Sequence, residues 1–358
     1  MTDVNTELLD LELRHQIDLH KFSNGEVKKV LKLLREAERE IVERIRVLDA
    51  SGSAGSFTRA RLNALLDAIK EISAQAYVKI HAGMSVSLSE AVVHEATVQA
   101  AALKEAIPVN LVVAQPAEAQ LRAAIADEPW EGKLLKEWTD ELDAATYARV
   151  RDQVRLGFVQ GETNDQIVAR IRGTRALNFK DGVMQISRNQ AESFVRTSIA
   201  AVANYGRQQV YKENSDIIKA ILWTATLDNF TCPVCGSLDG KTFPIDSGPR
   251  PPNHRGCRCT TVPVTKSFRE LGIDLDEAQE GERASMNGTV PGKTTFANWI
   301  KRQPAEIQDE ILGKTKGALL RRGGLEVGDF VNNKSHIFTL DELKARNPGA
   351  FKRAGIAA

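Results

Sequence analysis

Thr231-Cys-Pro-Val-Cys235, followed after eighteen residues by His254-Arg-Gly-Cys257-Arg-Cys259, is the stretch on which the reading of this chain turns. All four cysteines of the 358 residues fall between positions 232 and 259. Thiolates at this spacing on a turn can meet one tetrahedral cation, at about 2.3 Å each for zinc. The pattern predicts a structural Zn2+ site that ties a small sheet together at its loop ends.

Five soft donors compete for four positions. Cys232 and Cys235 make one knuckle, and His254 and Cys257 repeat the spacing, so these four are the expected ligands. Cys259 is the alternative. On an extended segment it would share a face with Cys257 at about 7 Å, too far for both to ligate without a turn. An all-cysteine site that releases His254 stays open. Four protein ligands close the shell, whereas a catalytic zinc keeps one position for water, so the metal is expected to be scaffolding and not catalytic. The rival reading is a metal-dependent nuclease built on Asp228, Asp239, His254 and Arg255, with Asn253 as a further candidate. It is thin, because His254 is the only histidine between His94 and His336. Asp228 and Asp239 read more simply as turn residues beside the knuckle.

Charge adds a second constraint. Lys and Arg number 48 against 47 Asp and Glu, so no global field draws this chain to nucleic acid. Positive charge is nevertheless local: Arg250, Arg255, Arg258 and Lys266 surround the cysteines, and Lys314, Lys316, Arg321 and Arg322 form a second stretch. Weak, non-specific DNA contact is expected of Arg250, Arg255, Arg258, Lys314, Lys316, Arg321 and Arg322, with a solvated face as the plain alternative. No apolar run approaches the roughly 20 residues of a membrane span. The acidic first ten residues do not resemble a signal peptide, which points to a soluble protein made in a reducing cytosol.

Working outward, the first 215 residues read as helix. Ser23-x-x-Glu26 has the form of a capping box, and Val27, Leu34, Ile41 and Leu48 recur every seven residues behind it. Ser51 to Ser56 reads as a flexible break. Helices are expected over about 58–82, 87–106, 132–160 and 187–212, with a short one capped by Thr163 and Gln166. Pro108, Pro116 and Pro129 punctuate the chain. Boundaries are therefore placed to give a helical region 1–128, a helix-rich cysteine-bearing domain 129–265 and a helical extension 266–358. Ile218–Ala225 and Cys257–Val264 read as strands, and Asp239-Gly240 as a hairpin turn within 238–243. Ala305 to Leu312, between Pro304 and Gly313, is a short helix, and Thr339-x-x-Glu342 caps another. Trp299, Phe330 and Phe338 are the expected core of the extension. The fold class is mainly α with a small α+β zinc-knuckle module.

Several motifs in order carry a resemblance. Gly161-Glu-Thr-Asn-Asp-Gln-Ile167, Arg196-Thr197, Trp223-Thr-Ala-Thr-Leu-Asp228, Thr231-Cys-Pro-Val-Cys235, Asp239-Gly-Lys-Thr-Phe243 and Pro251-Pro-Asn-His254-Arg-Gly-Cys257-Arg-Cys259 resemble the head-morphogenesis domain of tailed-phage minor head proteins, the Mu F-like family. The runs Trp299 to Gly313, Gly323-Gly324 and Phe338 to Leu343 are similar to an extension carried by many members. The resemblance implies a minor virion component at the portal vertex, present in host cytoplasm during assembly. Portal, major capsid or scaffolding protein would be its partners, and some members bind DNA or affect its ejection. Variation at the last cysteine within that family favours Cys257 over Cys259 as ligand.

Overall fold

The computed structural model describes residues 4–50, 59–107, 112–130, 132–272, 274, 281–332 and 334–356. The break expected at 51–56 and Pro108 lie outside them. Two long helices come first, α1 (Val4–Ala50) and α2 (Arg59–Ala106). Ser23 does not start a helix as its capping-box pattern suggests. It lies inside α1, buried, with a hydroxyl that has no hydrogen-bond partner among the described residues. No proline or glycine precedes it to break the chain, and Leu8 and Leu9 already continue a buried face. Glu26, in place of a cap, accepts from Lys29 at 2.7 Å and Ser87 at 2.9 Å. Val27, Leu34 and Ile41 are buried as their seven-residue spacing predicts, while the side chain of Leu48 lies outside the described residues.

The helices expected over 58–82 and 87–106 are one. Met84 and Leu88 keep the buried row unbroken, and the Ser85 hydroxyl donates to the carbonyl of His81 at 2.9 Å, a bond that holds serine within a helix. Next come α3 (Glu118–Asp127), α4 (Leu135–Val159), α5 (Asn164–Arg172) and α6 (Val183–Glu213). Thr163 caps α5 as expected. Its hydroxyl accepts from the Gln166 amide while its own amide donates to the Gln166 side chain at 2.8 Å.

The chain then turns to β1 (Ile218–Thr224), α7 (Pro233–Leu238), β2 (Thr242–Phe243) and β3 (Thr260–Thr265), an antiparallel sheet in the order β2-β1-β3. A hairpin, β4 (Glu282–Ser285) and β5 (Gly288–Pro291), precedes α8 (Phe296–Lys301), α9 (Ala305–Leu312), α10 (Lys314–Ala318), α11 (Leu340–Arg346) and α12 (Pro348–Ala354). The expected tight hairpin at 238–243 is replaced: α7 runs to Leu238, and β2 pairs with the middle of β1 through Ile221 and Phe243.

Packing divides the chain into two compact units. One comprises 1–19, 94–116 and 203–358, the other 20–93 and 117–202. The second is held by an aliphatic core in which Ile41 and Ile45 of α1 meet Leu66 and Ile69 of α2, Val150 and Val154 of α4, and Ile167 and Ile171 of α5. Asn164 donates its side-chain amide to the carbonyl of Ile45 at 2.8 Å, fixing the start of α5. In the first unit Trp299, Phe330 and Phe338 join Phe296, Leu319 and Leu343 in the expected core of the extension.

Candidate metal centre

Local structure delivers the cysteines to one place. Cys232 is the N-cap of α7, with Pro233 at the first helical position, so the Cys235 amide points back at the Cys232 sulfur at 3.4 Å. Across from it, the Cys257 amide donates to the carbonyl of His254 at 3.1 Å, closing a turn that needs the left-handed backbone of Gly256 (φ 72°). His254 Nε2 lies 3.3 Å from both Cys232 Sγ and Cys235 Sγ, and Cys235 Sγ lies 3.7 Å from Cys257 Sγ. Donors on a zinc tetrahedron would stand about 3.8 Å apart for two sulfurs and slightly closer for sulfur and nitrogen, given ordinary bond lengths. The observed edges fit.

Orientation of the imidazole fits as well. His254 Nδ1 lies 3.0 Å from the carbonyl of Arg255 and donates to it, which leaves the Nε2 lone pair facing the sulfurs. A backbone partner on the far nitrogen is the usual way a metal-binding histidine has its tautomer fixed. Electrostatics point the same way. Hydrogen bonding from Cys235 outweighs burial and draws Cys232 down to about 4, and contact with Cys232 and Cys257 pushes His254 up to about 11. Cys257 is likewise driven toward thiolate by its contact with Cys235, whereas Cys235, through its contacts with Cys232 and Cys257, and Cys259 are pushed the other way, toward thiol. The cluster favours positive charge among its donors, and a divalent cation supplies it while displacing the shared protons.

Cys259 reaches the cluster too. The donor atoms of Cys232, Cys235 and His254 form one group within 4.8 Å, and those of Cys235, Cys257 and Cys259 form another. The 7 Å separation expected for Cys257 and Cys259 on a strand does not hold, because β3 begins only at Thr260 and residues 257–259 are irregular. Cys235 is common to both groups. The five residues can hold a metal ion, and Trp223 and Ala225 wall the sulfurs on the protein side.

The remaining candidates are engaged elsewhere. Asp228 takes a two-pronged contact from Arg258, at 2.7 and 2.6 Å, and accepts from the amide of Phe230. Asp239 does lie in a turn, at the end of α7, but its carboxylate is fully buried, accepting from the amides of Ala225 at 2.7 Å and Phe296 at 2.6 Å and pairing with Arg283 at 3.1 Å. Arg283 was invisible to motif reading. A lone arginine in a short strand carries no local signal, although Arg283 also donates to the carbonyls of Ala225 and Thr294. Close packing completes the link, since a Cβ on Gly236 of α7 would stand 2.3 Å from the Phe296 ring.

Of the basic residues, Arg250 donates to Gln208 and to the carbonyls of Pro244 and Ile245, and Arg321 to Asp309. Burial lowers the pKa of Lys316. Arg255, Lys314 and Arg322 are exposed. Among the described residues no helix is long and apolar enough to cross a membrane.

Comparison with known proteins bears on the same segment. The family model described as Phage Mu protein F like protein matches residues 148–262, from within α4 through the cysteine cluster into β3. No curated protein and no solved structure is significantly similar to the chain. Over residues 148–262, with the cysteine–histidine cluster at their C-terminal end, the chain is similar to the Phage Mu protein F like family.

Proposed function

We propose that this chain is a minor head-morphogenesis protein of a tailed phage or prophage, built into the virion near the portal vertex. Its work is assembly rather than catalysis. The observation that carries this reading is the convergence of Cys232, Cys235, His254 and Cys257 inside the Mu F-like segment. A donor set of this kind closes around zinc and leaves no position for a reacting water. The engagement of Asp228 by Arg258 and of Asp239 by Arg283 supports the same reading, since both carboxylates that a nuclease would need are already neutralised within the fold. In this reading Zn2+ is structural, Cys259 is the reserve thiol, and the helical region 1–128 and the extension 266–358 contact portal, capsid or scaffolding protein. Any DNA contact by Arg255, Lys314 and Arg322 is weak and independent of sequence.

Two experiments test it. Elemental analysis of protein purified without chelator should find one zinc per chain; Cys235→Ser should lose it and Cys259→Ser should keep it. Mass spectrometry of purified particles should find the chain in few copies relative to the major capsid protein, and absence from both procapsids and mature heads would overturn the assignment.

A further inference from the structure

A second concentration of chemistry lies on α1, α5 and α6, within the unit that holds no cysteine. Lys32, Arg35 and Arg39 recur at i, i+3 and i+7, which places them on one face of α1, and all three are exposed. With Arg172 and Arg188 they line a hollow of about 500 Å3. That is the size of a small-ligand site. Its single lining carboxylate is Glu38, which is buried, ion-paired with Arg188 and 3.6 Å from Arg172. One carboxylate faces five cations. Lys32, Arg35 and Arg39 have no ion pair or hydrogen bond among the described residues. Arg39 also borders a neighbouring hollow with Glu36, Glu40 and Glu43, so the unopposed charge is greatest on the Lys32 and Arg35 side.

The far wall is aromatic and fixed. Phe179 has φ 60°, a left-handed conformation that costs a bulky residue on the order of 1 kcal/mol or more and persists only where its surroundings impose it. The imposition is visible. Its amide donates to the carbonyl of Thr174 at 2.9 Å, and Asp181 clamps the same turn by accepting from the amide and hydroxyl of Thr174, both at 2.8 Å. The Arg172 guanidinium lies 4.9 Å over the Phe179 ring, which holds it in place at the rim.

We propose that this hollow binds a phosphate-bearing polyanion, with Lys32, Arg35 and Arg172 as its principal contacts and Arg188 held in reserve by Glu38. Guanidinium forks match phosphate oxygens two at a time, and several unpaired cations around one concavity favour the multiple charge of linked phosphates over a single carboxylate. The phosphates could be those of a free polyphosphate or nucleotide, or those of a nucleic-acid backbone. The proposal involves none of the cysteines and stands apart from the assembly role.

The test uses the full chain in magnesium-free buffer at low salt, with inorganic tripolyphosphate by calorimetry and a short labelled duplex by fluorescence anisotropy. Lys32→Glu/Arg35→Glu changes only exposed side chains, so retained helicity is expected, and affinity should fall about tenfold or more for the loss of two charged contacts. Arg172→Gln should weaken binding without reversing a charge, and Lys104→Glu, exposed in the other unit and outside every proposed contact, should change nothing. Tripolyphosphate binding that the double variant abolishes assigns a free polyanion. Duplex binding alone, with the salt slope reduced by about 2 in the double variant, assigns backbone phosphates. Failure of both probes, duplex affinity unchanged in the double variant, or a preference for polyglutamate over both phosphate probes would overturn the proposal.

Discussion

Around Ile41, Ile69, Val150 and Ile171 the core is aliphatic and drawn from several helices, whereas around Trp223 three of the five buried core residues are cysteines. Each aliphatic side chain there contributes about 1.5–3 kcal/mol on burial, and a helical core of that size needs nothing else. A core of one tryptophan, one alanine and three thiols has little apolar volume to bury. It also places polarisable, titratable groups where an aliphatic core would have methyl groups. The difference teaches where a metal would matter: it would take the place of hydrophobic volume in the cysteine module, whereas the helical core has no need of one.

Metal removal should separate the two most strongly. Structural zinc in small peptides contributes about 10–16 kcal/mol of apparent binding free energy, which is folding free energy for the segment that binds. Stripping the protein with chelator, or Cys235→Ser, should abolish hydrogen-exchange protection across β1, α7 and β3 while residues 37–45 and 62–76 stay protected. Simultaneous loss of protection in both would show that the cores are not independent.

Next in size is the buried pair that ties the cysteine module to the C-terminal core. Asp239→Ala leaves Arg283 charged and buried and strips the amides of Ala225 and Phe296 of their acceptor. Breaking such a pair costs about 3–5 kcal/mol. Denaturant unfolding should show the loss, and α8 should exchange faster than α5. A change below 1 kcal/mol would mean that water reaches the pair.

Ile69→Ala sharpens the comparison from the other side. Ile69 is fully buried in the aliphatic core, so truncation should cost about 2–5 kcal/mol there. Zinc content should stay at one equivalent per chain.

What the sequence made legible follows the same division. Heptad spacing placed Val27, Leu34 and Ile41 inside, and side-chain caps placed the starts of α5 and α11, because those signals are local. The cysteine cluster was legible because thiols at short spacing have few other uses in one narrow window. Ser23 misled for a physical reason: a capping pattern marks a helix start only where the preceding residues cannot be helical, and residues 4–22 can. The partners of Asp239 were hidden for another reason. Arg283 is 44 residues away, and no periodicity links a carboxylate to an arginine at that distance. The row Lys32, Arg35 and Arg39 was visible in spacing, but its meaning depended on Arg172 and Arg188, which come from other helices, and on Phe179 in the turn between them.

The smallest expected effect concerns a buried charge cluster in the cysteine-bearing unit. Glu12, Glu95 and Arg207 are each almost wholly buried, with Arg207 Nε 2.5 Å from Glu95 and Nη1 3.2 Å from Glu12. Two carboxylates against one guanidinium leave one negative charge, and His15, 2.7 Å from the second Glu95 oxygen, supplies the balance when protonated. Burial opposes that protonation, but the hydrogen bond to Glu95 and the charges of Glu95 and Glu12 outweigh it and hold the His15 pKa above its usual 6.5. Burial alone would raise Glu95, yet Arg207 and His15 bring it down to about 2. The signs are therefore opposite. His15 contributes stability that is complete below about pH 6.5 and is lost as pH rises through its raised value, whereas Glu95 contributes stability present above about 4.5 and lost as pH falls toward 2. Thermal melting of the zinc-loaded protein should accordingly be highest between these limits and decline gently on the alkaline side. His15→Gln keeps a side-chain donor but cannot carry charge, so it should flatten the alkaline decline at a cost on the order of 1 kcal/mol, the difference between a charge-assisted and a neutral hydrogen bond. An alkaline decline unchanged in His15→Gln would assign it to the thiols, and the buried cluster would then be balanced without His15.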